Sequence, residues 1–129
     1  MSMSKGPDLQ YVRGDTKPII LHFTTAAGVD LDVSGYTILT LAIDPEAAPE
    51  TPGANLIDAM PGSFVTDGTD GRVAFIPSGA DETARRATSE GYAIGKAFYD
   101  VSGINAAGQR DTILDPGGKI SIDQQIGVT

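Results

Sequence analysis

Apolar residues recur at every second position in most hydrophobic runs of this chain. In residues 19–24, Ile19, Leu21 and Phe23 share one side and Ile20, His22 and Thr24 the other. That period of two predicts a half-buried strand. Pro18 stands at its start, where a missing N–H is tolerated. Residues 36–43 (YTILTLAI) are the most β-prone run. Leu39, Leu41 and Ile43 make one face, and Tyr36, Ile38 and Ala42 make a second that is nearly as apolar. A strand apolar on both faces is expected to be central or covered on its second side. Residues 55–60 are assigned a short edge strand. Residues 63–66 and 72–76 flank Asp67-Gly68-Thr69-Asp70-Gly71 and predict a hairpin, with glycines supplying positive φ and Val73 and Phe75 facing the core. Residues 92–101 predict a long strand whose phase changes at a bulge on Gly95. Residues 109–115 pair back, Pro116-Gly117-Gly118 turns, and residues 119–126 close the fold.

One segment breaks the period. Residues 78–88 (SGADETARRAT) predict a short helix, centred on about 79–88, with Ser78 as N-cap candidate. Asp81 and Glu82 in the first turn and Arg85 and Arg86 near the end match the helix dipole. Its apolar side is only alanine, so it should pack lightly, as a lid or crossover. The acidic, proline-punctuated residues 45–52 (PEAAPETP) are expected to form a surface loop. The first ten residues are small and polar and are broken by Gly6-Pro7. They are expected to form an extended arm over 1–10, ahead of a single domain over 11–129.

Composition supports this outline. Sixteen Gly and eight Pro in 129 residues fall between short apolar runs, the pattern of an all-β sandwich or barrel with about seven to eight strands. The charge narrows the function. Seventeen acidic against nine basic residues give a net charge of −8. That disfavours binding by phosphate neutralisation, so no nucleic-acid partner is expected, and no docking on anionic lipid. There is no stretch of about 20 apolar residues to cross a membrane. The start lacks the apolar run of a secretory signal, which predicts synthesis in a cytosol. With no cysteine and one histidine, the sequence has no disulfide, no thiolate metal site and no multi-histidine site.

Candidate chemistry is sparse. Asp15, Asp30, Asp32, Asp67 and Asp70 cluster near turns but do not match the spacing of a calcium loop. Asp in turns is explained by bonds to its own backbone. Gly91 to Lys96 (GYAIGK) lacks the four-residue spacing and the Ser/Thr of a phosphate loop. Arg13-Gly14-Asp15 is expected to be a turn at a strand entry. His22 alternates with apolar residues on a strand and has no nucleophile placed beside it by the sequence. No catalytic, cofactor-binding or metal residues are therefore assigned, and the chain is expected not to be an enzyme.

The order of landmarks carries more than any one of them. Arg13-Gly14-Asp15-Thr16 precedes the first strong strand. Gly28-Val29-Asp30-Leu31-Asp32-Val33-Ser34-Gly35 follows it, then the 36–43 strand and the acidic proline loop. Gly71-Arg72-Val73-Ala74-Phe75-Ile76-Pro77 precedes the helical segment. Gly91-Tyr92, Phe98-Tyr99-Asp100-Val101, Thr112-Ile113-Leu114 and Gly118-Lys119-Ile120 come after it. This order resembles the small immunoglobulin-like virion domains of tailed bacteriophages. It is similar to the N-terminal domain of baseplate upper proteins and to stand-alone relatives. The resemblance spans residues 11–129. It implies an immunoglobulin-like antiparallel β-sandwich and a non-enzymatic virion protein of the tail, baseplate or capsid surface, made in the host cytoplasm. The implied partners are other virion proteins and copies of itself, met through the arm and strand edges. The competing reading is a carbohydrate- or host-surface-binding module using the 45–52 loop with Tyr36, Tyr92 and Tyr99.

Overall fold

The structure, a computed structural model, describes residues 6–47, 49–51, 53 and 55–124. Its element order is β1 (Leu9–Val12), β2 (Ile19–His22), β3 (Tyr36–Asp44), β4 (Asp58–Phe64), β5 (Arg72–Phe75), α1 (Glu82–Glu90), β6 (Gly95–Asn105) and β7 (Arg110–Asp123). The protein is mostly β with one helix. The seven strands form one hydrogen-bonded sheet in the order β1-β7-β6-β3-β4-β5-β2.

The sheet is continuous because β4 divides its length between two neighbours. Asp58 to Pro61 pair with β3, whereas Gly62 to Phe64 pair with β5. Pro61, which has no N–H to give a ladder, sits where the strand changes partner. The two segments expected over 55–60 and 63–66 are therefore one strand, and it is internal rather than an edge.

The sheet must also curl. Six strand steps of about 4.8 Å would hold β1 and β2 about 29 Å apart if it were flat. The linker from Val12 to Ile19 reaches at most about 25 Å when fully extended. It is not extended, because Gly14 has φ 91° and the Asp15 N–H donates to the Val12 carbonyl at 3.1 Å. Curling brings both edges onto one core. Tyr11 of β1, Leu21 of β2, Leu41 and Ile43 of β3, Met60 of β4, Phe75 of β5, Val101 of β6 and Ile120 of β7 are buried in one cluster. The alternation predicted for residues 19–23 holds, with Ile19, Leu21 and Phe23 buried and Ile20 exposed. Phe23 meets Phe75 edge to face at 6.5 Å.

Several local expectations are met. Gly71 has φ 74°, and a Cβ there would lie 2.4 Å from the Phe23 carbonyl oxygen, so the hairpin needs glycine for both backbone angle and room. Val73 and Phe75 are fully buried. β3 is central, between β6 and β4.

Others are corrected. β1 includes Leu9 and Gln10 and pairs with β7 in parallel, so the sheet is not wholly antiparallel and the segment outside the core is shorter than 1–10. Gly6 is buried and the Pro7 carbonyl accepts from the Tyr99 hydroxyl; residues 1–5 lie outside the described residues. Pro116-Gly117-Gly118 does not turn. β7 runs through it as a bulge in which the chain between Leu114 and Gly118 faces the single residue Asp100. Gly117 makes the close approach, since a Cβ on it would fall 1.7 Å from the Tyr99 carbonyl oxygen. Gly95 has φ 132° but opens β6 instead of bulging within it. The strand expected from residue 92 therefore starts three residues later, with Tyr92 buried and Ile94 exposed ahead of it.

The helix begins later than expected. Asp81, not Ser78, is the N-cap, with extended backbone and a side chain accepting from the Ala84 N–H at 2.8 Å. Glu82 and Ser89, seven residues apart, lie on one helix face. Both close on the β1–β2 linker. Thr16 donates to Glu82, and the Gly14 N–H donates to the buried Ser89 hydroxyl at 2.8 Å. The helix thus straps the linker where the two sheet edges approach.

Candidate functional site

The turn aspartates are used by their turns. Asp32 accepts from the Ser34 N–H at 2.9 Å and its hydroxyl at 2.6 Å. Asp67 does the same for Thr69 at 3.0 and 2.6 Å. The hydroxyl bond, then the backbone bond, hold both carboxyls below their ordinary pKa of 3.8. Asp70 accepts from the Arg72 N–H at 3.0 Å. Asp15 lies 3.7 Å from Lys17 in the linker turn. His22 sits on the outer face of β2 with Nε2 2.7 Å from Asp30. Gly91 caps the helix and Lys96 lies in β6, so these residues form no phosphate loop.

The tyrosines of the carbohydrate reading are differently placed. Tyr92 and Tyr99 are 2% and 3% exposed, which removes them as stacking platforms. Only Tyr36 reaches the surface, half-buried, with its hydroxyl donating to Asp111 at 3.0 Å.

Two carboxyl groups that the sequence does not single out prove to be the most deeply placed. Asp58 opens β4 and is 7% exposed. It accepts from the Ala59 N–H at 2.8 Å, the Ser78 N–H at 3.1 Å, the Ser78 hydroxyl at 2.6 Å and the Tyr92 hydroxyl. Four donors fill the acceptor capacity of a carboxylate. Burial, then the bond and charge of Asp58, push the Tyr92 hydroxyl pKa far above its ordinary 10.0. Tyr92 packs at 6.2 Å against Tyr11, whose hydroxyl donates to the Asp15 and Lys17 carbonyls at 3.0 and 2.9 Å. This cluster ties β4, the helix approach and the linker together.

Asp44, at the other end of the acidic loop, is the opposite case. It is 8% exposed, its Oδ1 accepts from the Glu46 N–H at 2.9 Å, and its Oδ2 has no partner among the described residues. It lines a cavity of about 420 Å³ on the outer face of the sheet. Asp100 of β6 and Ala42 of β3, paired in register, form part of the floor. Glu46 and Leu56 come from the loop, Phe98 from β6 and Arg110 from β7. The signal in the sequence was the apolar second face of 36–43, which needed a cover, followed directly by a loop able to supply it. Ala42 and Asp44 lie under that loop, whereas Ile38 further back is 54% exposed.

No family model matches the chain, and no curated protein matches it. Among solved structures, the PKD domain from KIAA 1837 protein aligns with 99% of this chain and 91% of its own. The identity is 8% and the TM-score 0.32.

Proposed function

We infer that the chain is a non-enzymatic structural protein of a tailed-bacteriophage virion, a tail, baseplate or capsid-decorating part that works by protein–protein contact. In this reading the fold is an immunoglobulin-like sandwich, its two layers being the halves of the curled sheet joined through β4. The observation that carries the reading is the pair of strand edges. β1 is bonded only to β7 and β2 only to β5 among the described residues, so each offers a row of backbone groups to another chain. β2 adds Ile20, 56% exposed beside that edge. The order of turn and strand landmarks along residues 11–129 supports the phage assignment. The net charge of −8 suits a many-copy protein that must stay soluble and off nucleic acid before assembly. The partners are other virion proteins and copies of the chain, and the mature location is the particle, after synthesis in the host cytoplasm.

The test is mass spectrometry of gradient-purified particles, followed by antibody labelling to place the protein on tail, baseplate or capsid. Stoichiometric recovery with the major structural proteins is expected. Recovery only from the soluble fraction of infected cells would overturn the reading.

A further inference from the structure

We propose that the open edge of β2 pairs with the same edge of a second copy of the chain, in an antiparallel two-fold dimer centred on Ile20. The inference rests on the contact role proposed above for the strand edges, and it names the partner at one of them.

The backbone fixes the register. β2 is paired only with β5 among the described residues, and the Phe23 N–H donates to the Gly71 carbonyl at 2.8 Å. Bonds in an antiparallel ladder alternate along the strand. With Ile19 opposite Phe75 and His22 opposite Arg72, the backbone groups of Ile19 and Leu21 face β5. Those of Ile20 and His22, and the Pro18 carbonyl, point away from it. Beyond His22 the edge is closed, because the Leu31 N–H donates to the Phe23 carbonyl at 3.0 Å and Thr24 bridges to Asp30. Ahead of Pro18 the chain leaves into the linker turn. The open stretch is therefore 18–22, and its middle residue is Ile20. An edge closed at both ends takes only a short strand, and β2 is itself such a strand. A two-fold axis at Ile20 lets the two copies exchange N–H and C=O bonds there. Each His22 N–H then donates to the Pro18 carbonyl of the other copy, and Pro18, which has no N–H, lies at the end where none is missed.

The side chains select the same partner. Lys17 stands exposed at one end of the open stretch and Asp30 half-exposed at the other. Antiparallel pairing sets each Lys17 beside the Asp30 of the other copy, whereas parallel pairing would set like beside like. Lys17 reaches its own Asp15 only at 3.7 Å, and Asp30 holds His22 through Oδ1, with capacity for a further donor. Two chains of net charge −8 repel each other, so the contact needs a face without surplus acid. The outward positions beside the edge provide one: Ile20, His22, Arg72, Ala74, Ser63 and Val65 include no carboxylate. A short edge buries less than the about 1,200 Å² of a stable complex, so the free dimer is weak and suits a contact repeated through a particle.

Sedimentation equilibrium of the full chain at low salt, from about 10 μM to about 1 mM, tests the dimer. A reversible monomer–dimer equilibrium is expected. Ile20→Asp, which sets two carboxylates on the axis, should abolish it while the amide spectrum shows the fold intact. Lys17→Glu and Asp30→Lys should each weaken self-association about tenfold, because each puts like charges at both ends of the pair. An equimolar mixture of these two variants should recover wild-type affinity, since both ends then join opposite charges. A folding defect in either variant would not produce that recovery. In this cysteine-free chain, Ile20→Cys should oxidise to a covalent dimer far faster than Val65→Cys on the same face. A wild-type chain that stays monomeric throughout, association unchanged by Ile20→Asp, or a mixture no tighter than its components would overturn the proposal. None of these results bears on recovery of the protein from purified particles, so the dimer and the virion reading fail separately.

Discussion

Replacing Tyr92 with Phe removes one hydroxyl and leaves the ring packed against Tyr11. The hydroxyl is fully buried and donates to Asp58, which keeps three other donors. The loss is then that of one bond to a charged group, about 1.5–3 kcal/mol. Asp58→Ala is the harsher change. It strands the Tyr92 hydroxyl and both donors of Ser78, and should cost about 3–5 kcal/mol. At about 2.1 cal/mol/K per residue, 2 kcal/mol lowers Tm by about 7 °C in a chain of this length. Urea unfolding of wild type, Tyr92→Phe, Asp58→Ala and the double variant gives the coupling directly. A coupling of about 1.5–3 kcal/mol with an unchanged urea slope is expected. A Tyr92→Phe variant within 0.5 kcal/mol of wild type, and a coupling near zero, would refute the placement of Asp58 as the tie between β4 and the linker.

Gly71→Val should destabilise by about 2–3 kcal/mol or more, because positive φ and a carbonyl 2.4 Å from the new Cβ act together. Gly28→Ala, with φ 83° and no atom within 4 Å, should cost only about 1 kcal/mol, and equal losses in urea titrations would contradict the crowding argument. A chain starting at Tyr11 should melt several degrees below the full chain, having lost half of β1 and the Pro7 acceptor of Tyr99, and an unchanged Tm would contradict the pairing of β1 with β7. On acidification, the lowered carboxyls of Asp32 and Asp67 bind protons more weakly folded than unfolded. Their stabilisation is present above the unfolded value near 3.8 and is lost as pH falls through the lower folded one. Asp32→Asn and Asp67→Asn should flatten that limb of the pH–Tm curve. At the alkaline end, Tyr11, Tyr92 and Tyr99 are raised above 10.0, first by burial. Stability should be complete below pH 10 and fall above it, with tyrosinate absorbance rising together with loss of the β-sheet signal.

The same residues show how far the sequence could be followed. The Asp67-to-Gly71 turn was legible because its determinants are local: side chains that bond the next backbone N–H, and a glycine where φ is positive. The alternation of 19–23 was legible because burial of one face imposes a period of two on any strand. The candidate site was scarcely legible. Asp44 and Asp58 stand at the two ends of a loop that looks like acidic surface, and their burial comes from elements far along the chain. The floor beside Asp44 comes from β6, and the donors to Asp58 come from Ser78 and Tyr92.

Apart from β1, the sequence by itself determined most of the strand segments, where most turns fall, and that one helix interrupts the strands. These follow from side-chain period and backbone torsion, which a few neighbouring residues dictate. Only the tertiary structure decided how segments join. Pro61 and the 116–118 triplet look like stops, yet β4 and β7 pass through them. A proline or a close-packed glycine interrupts a strand only if a partner needs that N–H or that space, and the partner is chosen by long-range pairing. The parallel β1–β7 pair and the curl of the sheet have the same origin. Both depend on a short linker, held by Tyr11 and Ser89, that draws two distant edges onto one core.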